Sequence, residues 1–230
     1  KDSNSKGELG YSRFDIPHRI SLQASYTTPK YLNGWMSTTV GITYNASPGG
    51  RYSLSYDDAK DFNGDGSRGT TLLYIPTDKE LEDMNFVDNF DKQGNLIMSK
   101  EESREAFRQW ILNDDYAKNH RGQFAERNSN LTKWEHEINL HVAQDIFYLK
   151  ERGSKIQVTF DVINFANMLN KKWGANYYLP YNLTPVTVSG STNADGILVP
   201  EYTFKDQSNV LTKNDISSRW HCQVGVRLTF

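Results

Sequence analysis

RWHCQVGVRLTF, residues Arg219–Phe230, alternates without a break. Trp220, Cys222, Val224, Val226, Leu228 and Phe230 fall on one face; Arg219, His221, Gln223, Gly225, Arg227 and Thr229 fall on the other. Strict period two marks a strand lying between apolar and polar surroundings. A soluble sandwich would turn the apolar face to a core, whereas an outer-membrane barrel would turn it to lipid and the polar face to a wet lumen.

Four more segments repeat the pattern. HRISLQASYT (His18–Thr27) sets Ile20, Leu22, Ala24 and Tyr26 against Arg19, Ser21, Gln23 and Ser25. Met36–Tyr44 sets Val40, Ile42 and Tyr44 against Ser37, Thr39 and Thr43. KWEHEINLHVAQDIFY (Lys133–Tyr148) sets Trp134, Ile138, Leu140 and Val142 against Glu135, Glu137, Asn139 and His141, and Lys155–Val162 sets Val158 and Phe160 against Gln157 and Asp161. A tilted strand crosses a bilayer in about 9–11 residues, so each is long enough to span.

The connections alternate too. TPKYLNGW (Thr28–Trp35), with the turn signal Asn33-Gly34, and LKERGS (Leu149–Ser154) are short, while the other two run to about ninety and more than fifty residues. Barrels have this asymmetry, with tight periplasmic turns and long extracellular loops. The fold expected is all-β: about five antiparallel transmembrane strands, near 14–28, 35–46, 133–149, 155–168 and 218–230, all in one barrel domain spanning 1–230. Long extracellular loops near 57–132 and 171–216 carry short helices. Five strands are fewer than the ~8 of the smallest closed barrels, so a larger barrel is expected to supply the rest. Counting crossings puts Phe230 at the periplasmic rim and Lys1–Phe14 outside the cell.

Composition limits the alternatives. A net charge of -2 offers no footprint for nucleic acid, and no run approaches the ~18 apolar residues of a membrane helix. Aromatics reach 13%, with thirteen Tyr and five Trp, which interfacial girdles would use and extracellular recognition loops would use as well. Cys222, the single cysteine, reads as a small buried hydrophobe.

FDIPHRISLQASY (Phe14–Tyr26), NHRGQFAERN (Asn119–Asn128), VTFDVINFANMLNKKWG (Val158–Gly174) and the terminal WHCQVGVRLTF resemble the last strands of TonB-dependent outer-membrane receptors, in particular the SusC-like and Oar-like group. The resemblance implies a barrel of about 22 strands with a plugged lumen. It further implies import of a bulky nutrient such as an oligosaccharide or peptide, a TonB-type energy transducer acting on an N-terminal segment, and a SusD-like surface lipoprotein as partner. Phe230 would then serve as the assembly signal. On this reading the lumen is lined by Arg19, Gln23, Glu135, Glu137, Asn139, His141, Asp161, His221, Gln223 and Arg227. The bilayer and the upstream strands and plug would be the remaining partners.

In the first long loop, DFNGDGSRG (Asp61–Gly69) places Asp61, Asn63 and Asp65 at alternate positions with Gly66 at the turn, as in the first half of an EF-hand calcium loop. Position twelve is Leu72 instead of Glu, so a further acid, Asp57 or Asp58, would have to complete the shell. The alternative is an exposed Asx- and Gly-rich turn. Thr77–Glu80 and Ser99–Glu102 are capping boxes that predict helices over 78–84 and 100–112, the second packing through Phe107, Trp110 and Ile111. Residues 173–190 and 196–204 predict a hairpin around STNADG. His136, His141 and His221 with Glu135, Glu137 and Asp145 are acid-base material with no nucleophile arranged beside them, so the expected function is transport and not catalysis. A passive porin or a soluble calcium-stabilised binding domain are the competing readings.

Overall fold

The structure is a computed structural model describing residues 9–58, 69–149, 154–179, 182–195, 197–208 and 210–230. In chain order its main elements are β1 (Ile20–Thr27), β2 (Met36–Pro48), β3 (Leu54–Asp58), α1 (Asp78–Asp83), α2 (Lys100–Asn113), β4 (Trp134–Leu149), β5 (Ser154–Ile163), β6 (Leu183–Thr192), β7 (Leu198–Phe204) and β8 (His221–Thr229). The chain is mostly β, its sheets are predominantly antiparallel, and no described helix is long and apolar enough to cross a membrane. It divides into two compact units.

The sheet unit comprises 16–49, 132–178 and 212–230. Its five strands lie in the order β1-β2-β4-β5-β8, every neighbouring pair antiparallel. Their cores match the five sequence segments, but β1 opens at Ile20, so Phe14–Arg19 precedes the strand, and β5 closes at Ile163. Register fixes the faces. Ala24, Ile42, Leu140, Val162 and Cys222 form one cross-strand row, and Ser25, Gly41, His141, Asp161 and Gln223 form the next, on the opposite face. The short turn after β1 is made by Leu32, Asn33 and Gly34, all with positive φ, as the Asn-Gly signal predicts.

This sheet has an apolar face without a core. Leu22, Val224 and Val226 are 62%, 66% and 68% exposed, and Ile42 and Phe160 are exposed as well. In water such a face would be covered by a helix or a second sheet. Two polar rows interrupt it near its ends. At one end His136 Nδ1 bonds the Tyr44 hydroxyl (2.9 Å), its ring stacked between those of Tyr44 and Trp134. Near the other, Gln144 Oε1 accepts from the hydroxyls of Thr38 (2.7 Å) and Tyr31 (3.0 Å). No closed barrel is formed by the described strands: β1 and β8 each pair on one side only.

The loop unit comprises 1–15, 50–131 and 179–211 and owns the buried apolar cluster, including Leu54, Leu73, Ile75, Leu81, Phe107, Ile111, Val186 and Val188. Both capping boxes form as expected. Thr77 and Ser99 accept from the N–H groups of Glu80 and Glu102, whose carboxylates accept in return from the cap N–H groups. Phe107 and Ile111 bury one face of α2. The expected hairpin is β6–β7, and β6 also pairs in parallel with β3 (Tyr56↔Val186, Asp57↔Thr187), knitting the two long connections into one sheet.

Candidate functional site

The polar face of the five-stranded sheet gathers the chemistry. Gln23, Glu137, Asn139, His141, Asp161, Gln223 and Arg227 occupy odd positions that the register puts on this one face, together with Glu135 opposite Ser47 and His221 opposite Ile163. Arg19 immediately precedes β1. Neighbours along and across the strands satisfy one another. His141 Nδ1 meets Asp161 Oδ1, Lys155 Nζ lies 2.7 Å from Asp145 Oδ2, and Gln157 donates to Asp145 Oδ1 at 2.8 Å. Asn139 donates to Glu137 Oε1 at 2.7 Å. Charges of both signs are thus paired with one another on this face, and Ser25 stands in the same row as the His141–Asp161 pair, across Gly41.

Where β1, β2 and β4 meet their long connections, a cleft of about 310 Å³ is lined by Arg19, Asn45, Ser47, Glu135, Glu137 and Asn176, with Ala46 and His136 completing it. Two residues of its wall are fixed. Ser21 Oγ donates to Asn45 Oδ1 (2.9 Å), which leaves the Asn45 amide nitrogen to face elsewhere as a donor. The Asn176 backbone N–H donates to Ser218 Oγ (2.9 Å), and its carbonyl accepts from Asn214 N–H (2.9 Å). Behind these, Asn164 adopts a left-handed conformation (φ 55°). Its side-chain amide donates to the carbonyls of Gly174 (2.8 Å) and Ser218 (2.9 Å), while its own N–H donates to Asn139 Oδ1 (2.8 Å).

Asn45, Ser47 and Asn176 were not singled out by the sequence. The first two were reachable, since they alternate with Ala46 on a strand already read as two-faced. Asn176 was not, because it reaches the cleft through a loop fastened to residues some forty positions away.

Asp61, Asn63 and Asp65 lie outside the described residues. Asp57 and Asp58 are consecutive on β3 and so point to opposite faces; at most one could join them around an ion. Asp57 pairs with Lys205 (2.5 Å), and buried Asp58 accepts from Gly69 N–H and from Thr71 Oγ1 (3.0 Å), bringing the two ends of the loop together. Both carboxylates thus already have protein partners. No group of three or more His, Cys, Asp or Glu side chains among the described residues is arranged to hold a metal.

Cys222 corrects the sequence reading. It stands on the apolar face as expected but is exposed, as are Val224 and Val226 further along β8. Phe230 follows β8 with its side chain 98% exposed.

Compared with known proteins, the chain matches no family model, no curated protein and no solved structure.

Proposed function

We propose that the chain forms part of the wall and extracellular loops of an outer-membrane β-barrel that imports a bulky nutrient by TonB-dependent transport. One observation carries the barrel: a five-stranded antiparallel sheet with an exposed apolar face on one side and a mutually paired polar face on the other. Lipid is the solvent that makes such a face favourable, and a hydrated lumen suits the opposite one. Unpaired edges on β1 and β8 fit continuation of the barrel by further strands, because long exposed edges otherwise invite aggregation. Active import, in place of passive diffusion, rests on the resemblance of four sequence blocks to TonB-dependent receptors.

Insertion tests the barrel. Val224→Arg or Val226→Arg in the full-length chain puts a charge on the lipid face at a cost of about 2–4 kcal/mol near the midplane, and should cut the outer-membrane fraction severely. Gln223→Arg, on the opposite face, should insert normally. Equal tolerance of the three substitutions would overturn the reading. Energy dependence tests import: collapsing the inner-membrane proton gradient should abolish nutrient accumulation, and accumulation that persisted would make the protein a porin.

A further inference from the structure

We infer that the cleft between β1, β2 and β4 is a binding subsite for a zwitterionic dipeptide, Glu135 and Glu137 taking its ammonium group and Arg19 with Asn45 taking its carboxylate. The inference deepens the proposed function and rests on it for the lumenal setting of the cleft.

The charges in the cleft are segregated. Glu135 and Glu137 alternate along β4 and so reach out from the same face, Glu135 beside Ser47 and Glu137 beside Asn45 in the register. Arg19 enters from the start of β1, on the far side of β2. Donors thus lie toward β1 and anions toward β4. Among the described residues, Arg19, Glu135 and Glu137 form no ion pair, unlike Asp145 with Lys155 or Asp161 with His141 lower on the same face. Glu137 commits one carboxylate oxygen to Asn139, which orients it and leaves the other oxygen as an acceptor. Asn45 commits its carbonyl to Ser21, which leaves its N–H groups as donors beside Arg19.

Size and lining select the ligand class. A volume of about 310 Å³ lies at the lower end of small-molecule sites, enough for one or two residues and too little for an oligomer. β1 and β4 are two strand spacings apart, roughly 10 Å between backbones, a gap that admits the roughly 6–7 Å span of two extended residues. A sugar would be expected to stack on an exposed aromatic face, but among the described residues lining the cleft the one ring, of His136, is turned to the opposite face and stacked with Tyr44 and Trp134.

Titration calorimetry on the detergent-solubilised protein tests this, with L-alanyl-L-alanine as probe and its N-acetylated amide and maltose as comparisons. The dipeptide should bind saturably, and the blocked peptide and maltose at least tenfold more weakly. Glu135→Gln with Glu137→Gln, and separately Arg19→Gln, should each weaken the dipeptide at least tenfold, while Gln157→Ala, outside the cleft, leaves it unchanged. Absence of saturable dipeptide binding, maltose binding as tight as the dipeptide, or unaltered affinity in the charge variants would overturn the subsite. Failure of the barrel reading would show separately, as loss of the contrast between Val226→Arg and Gln223→Arg in membrane insertion.

Discussion

At the scale of single residues, Gly174 is held by two independent constraints. Its φ is 56°, in the left-handed region, and a Cβ built on it would stand 1.9 Å from Asn164 Oδ1. Gly174→Ala therefore combines a backbone penalty of about 1 kcal/mol with displacement of the Asn164 amide, whose hydrogen bonds are worth about 0.5–1.5 kcal/mol each. We expect a loss of about 2–4 kcal/mol in denaturant unfolding. Gly94→Ala is the control: its φ is 85°, but nothing lies within 4 Å of its would-be Cβ, so only the backbone penalty applies. Equal losses for the two would remove Asn164 from the account. The same residues explain what the block NFANMLNKKWG does. Asn164 and Asn167 fold Lys171–Gly174 back by donating their side-chain N–H groups to the carbonyls of Lys171, Trp173 and Gly174. In the block RGQFAERN, Arg121 grips Asp78 and the Pro76 carbonyl, and Asn128 donates to the Tyr11 carbonyl while its own carbonyl accepts from Arg51. The contacts of the second block were not legible in sequence, since their partners sit some forty or more residues away.

Elements defined by local chemistry were read well, and those defined by distant pairing were not. The five strands and both helices follow from period two and from S/T-x-x-E, signals that lie within a dozen residues. The parallel pairing of β3 with β6 joins Tyr56 to Val186, and no local pattern announces it. The buried arginine clamp is equally silent: Arg51 pairs with Asp15 at 2.7 Å and lies over the Tyr11 ring. Local readability makes the caps a clean test of α1 and α2. Thr77→Ala and Ser99→Ala each remove an acceptor for an otherwise orphaned N–H and should cost about 1 kcal/mol, whereas Thr77→Ser should be close to neutral. Trp110, stacked on Phe107 in α2, reports the transition by fluorescence. An unchanged melting midpoint for both alanine variants would mean that packing alone sustains the helices.

For the whole molecule, the two units place their apolar residues differently. The loop unit keeps its apolar residues inside and its charges out, as a water-soluble domain does, while the sheet unit keeps its apolar residues outside. Acid should therefore act on the first before the second. In the loop unit, Arg121 holds the Asp78 carboxyl below its usual 3.8. The capping N–H groups of Thr77 and Ser99 hold Glu80 and Glu102 below their usual 4.5. A carboxylate whose pKa is depressed by folding adds stability above its unfolded pKa and loses it as pH falls through the folded value. At the alkaline end the sign reverses, because burial pushes the Tyr52 hydroxyl up to about 12 from 10.0; that contribution is complete below pH 10 and lost on the way to 12. Loop-unit stability should thus stay level from about pH 5 to 10 and fall on either side. In detergent, near-ultraviolet dichroism should decay below pH 4 while the far-ultraviolet β signal of the sheet persists, since the apolar face held by detergent does not depend on those carboxylates. Coincident loss of both signals would show that the sheet depends on the loop unit for its fold, and retention of both at pH 2 would show that the caps and the Arg121–Asp78 pair contribute nothing measurable.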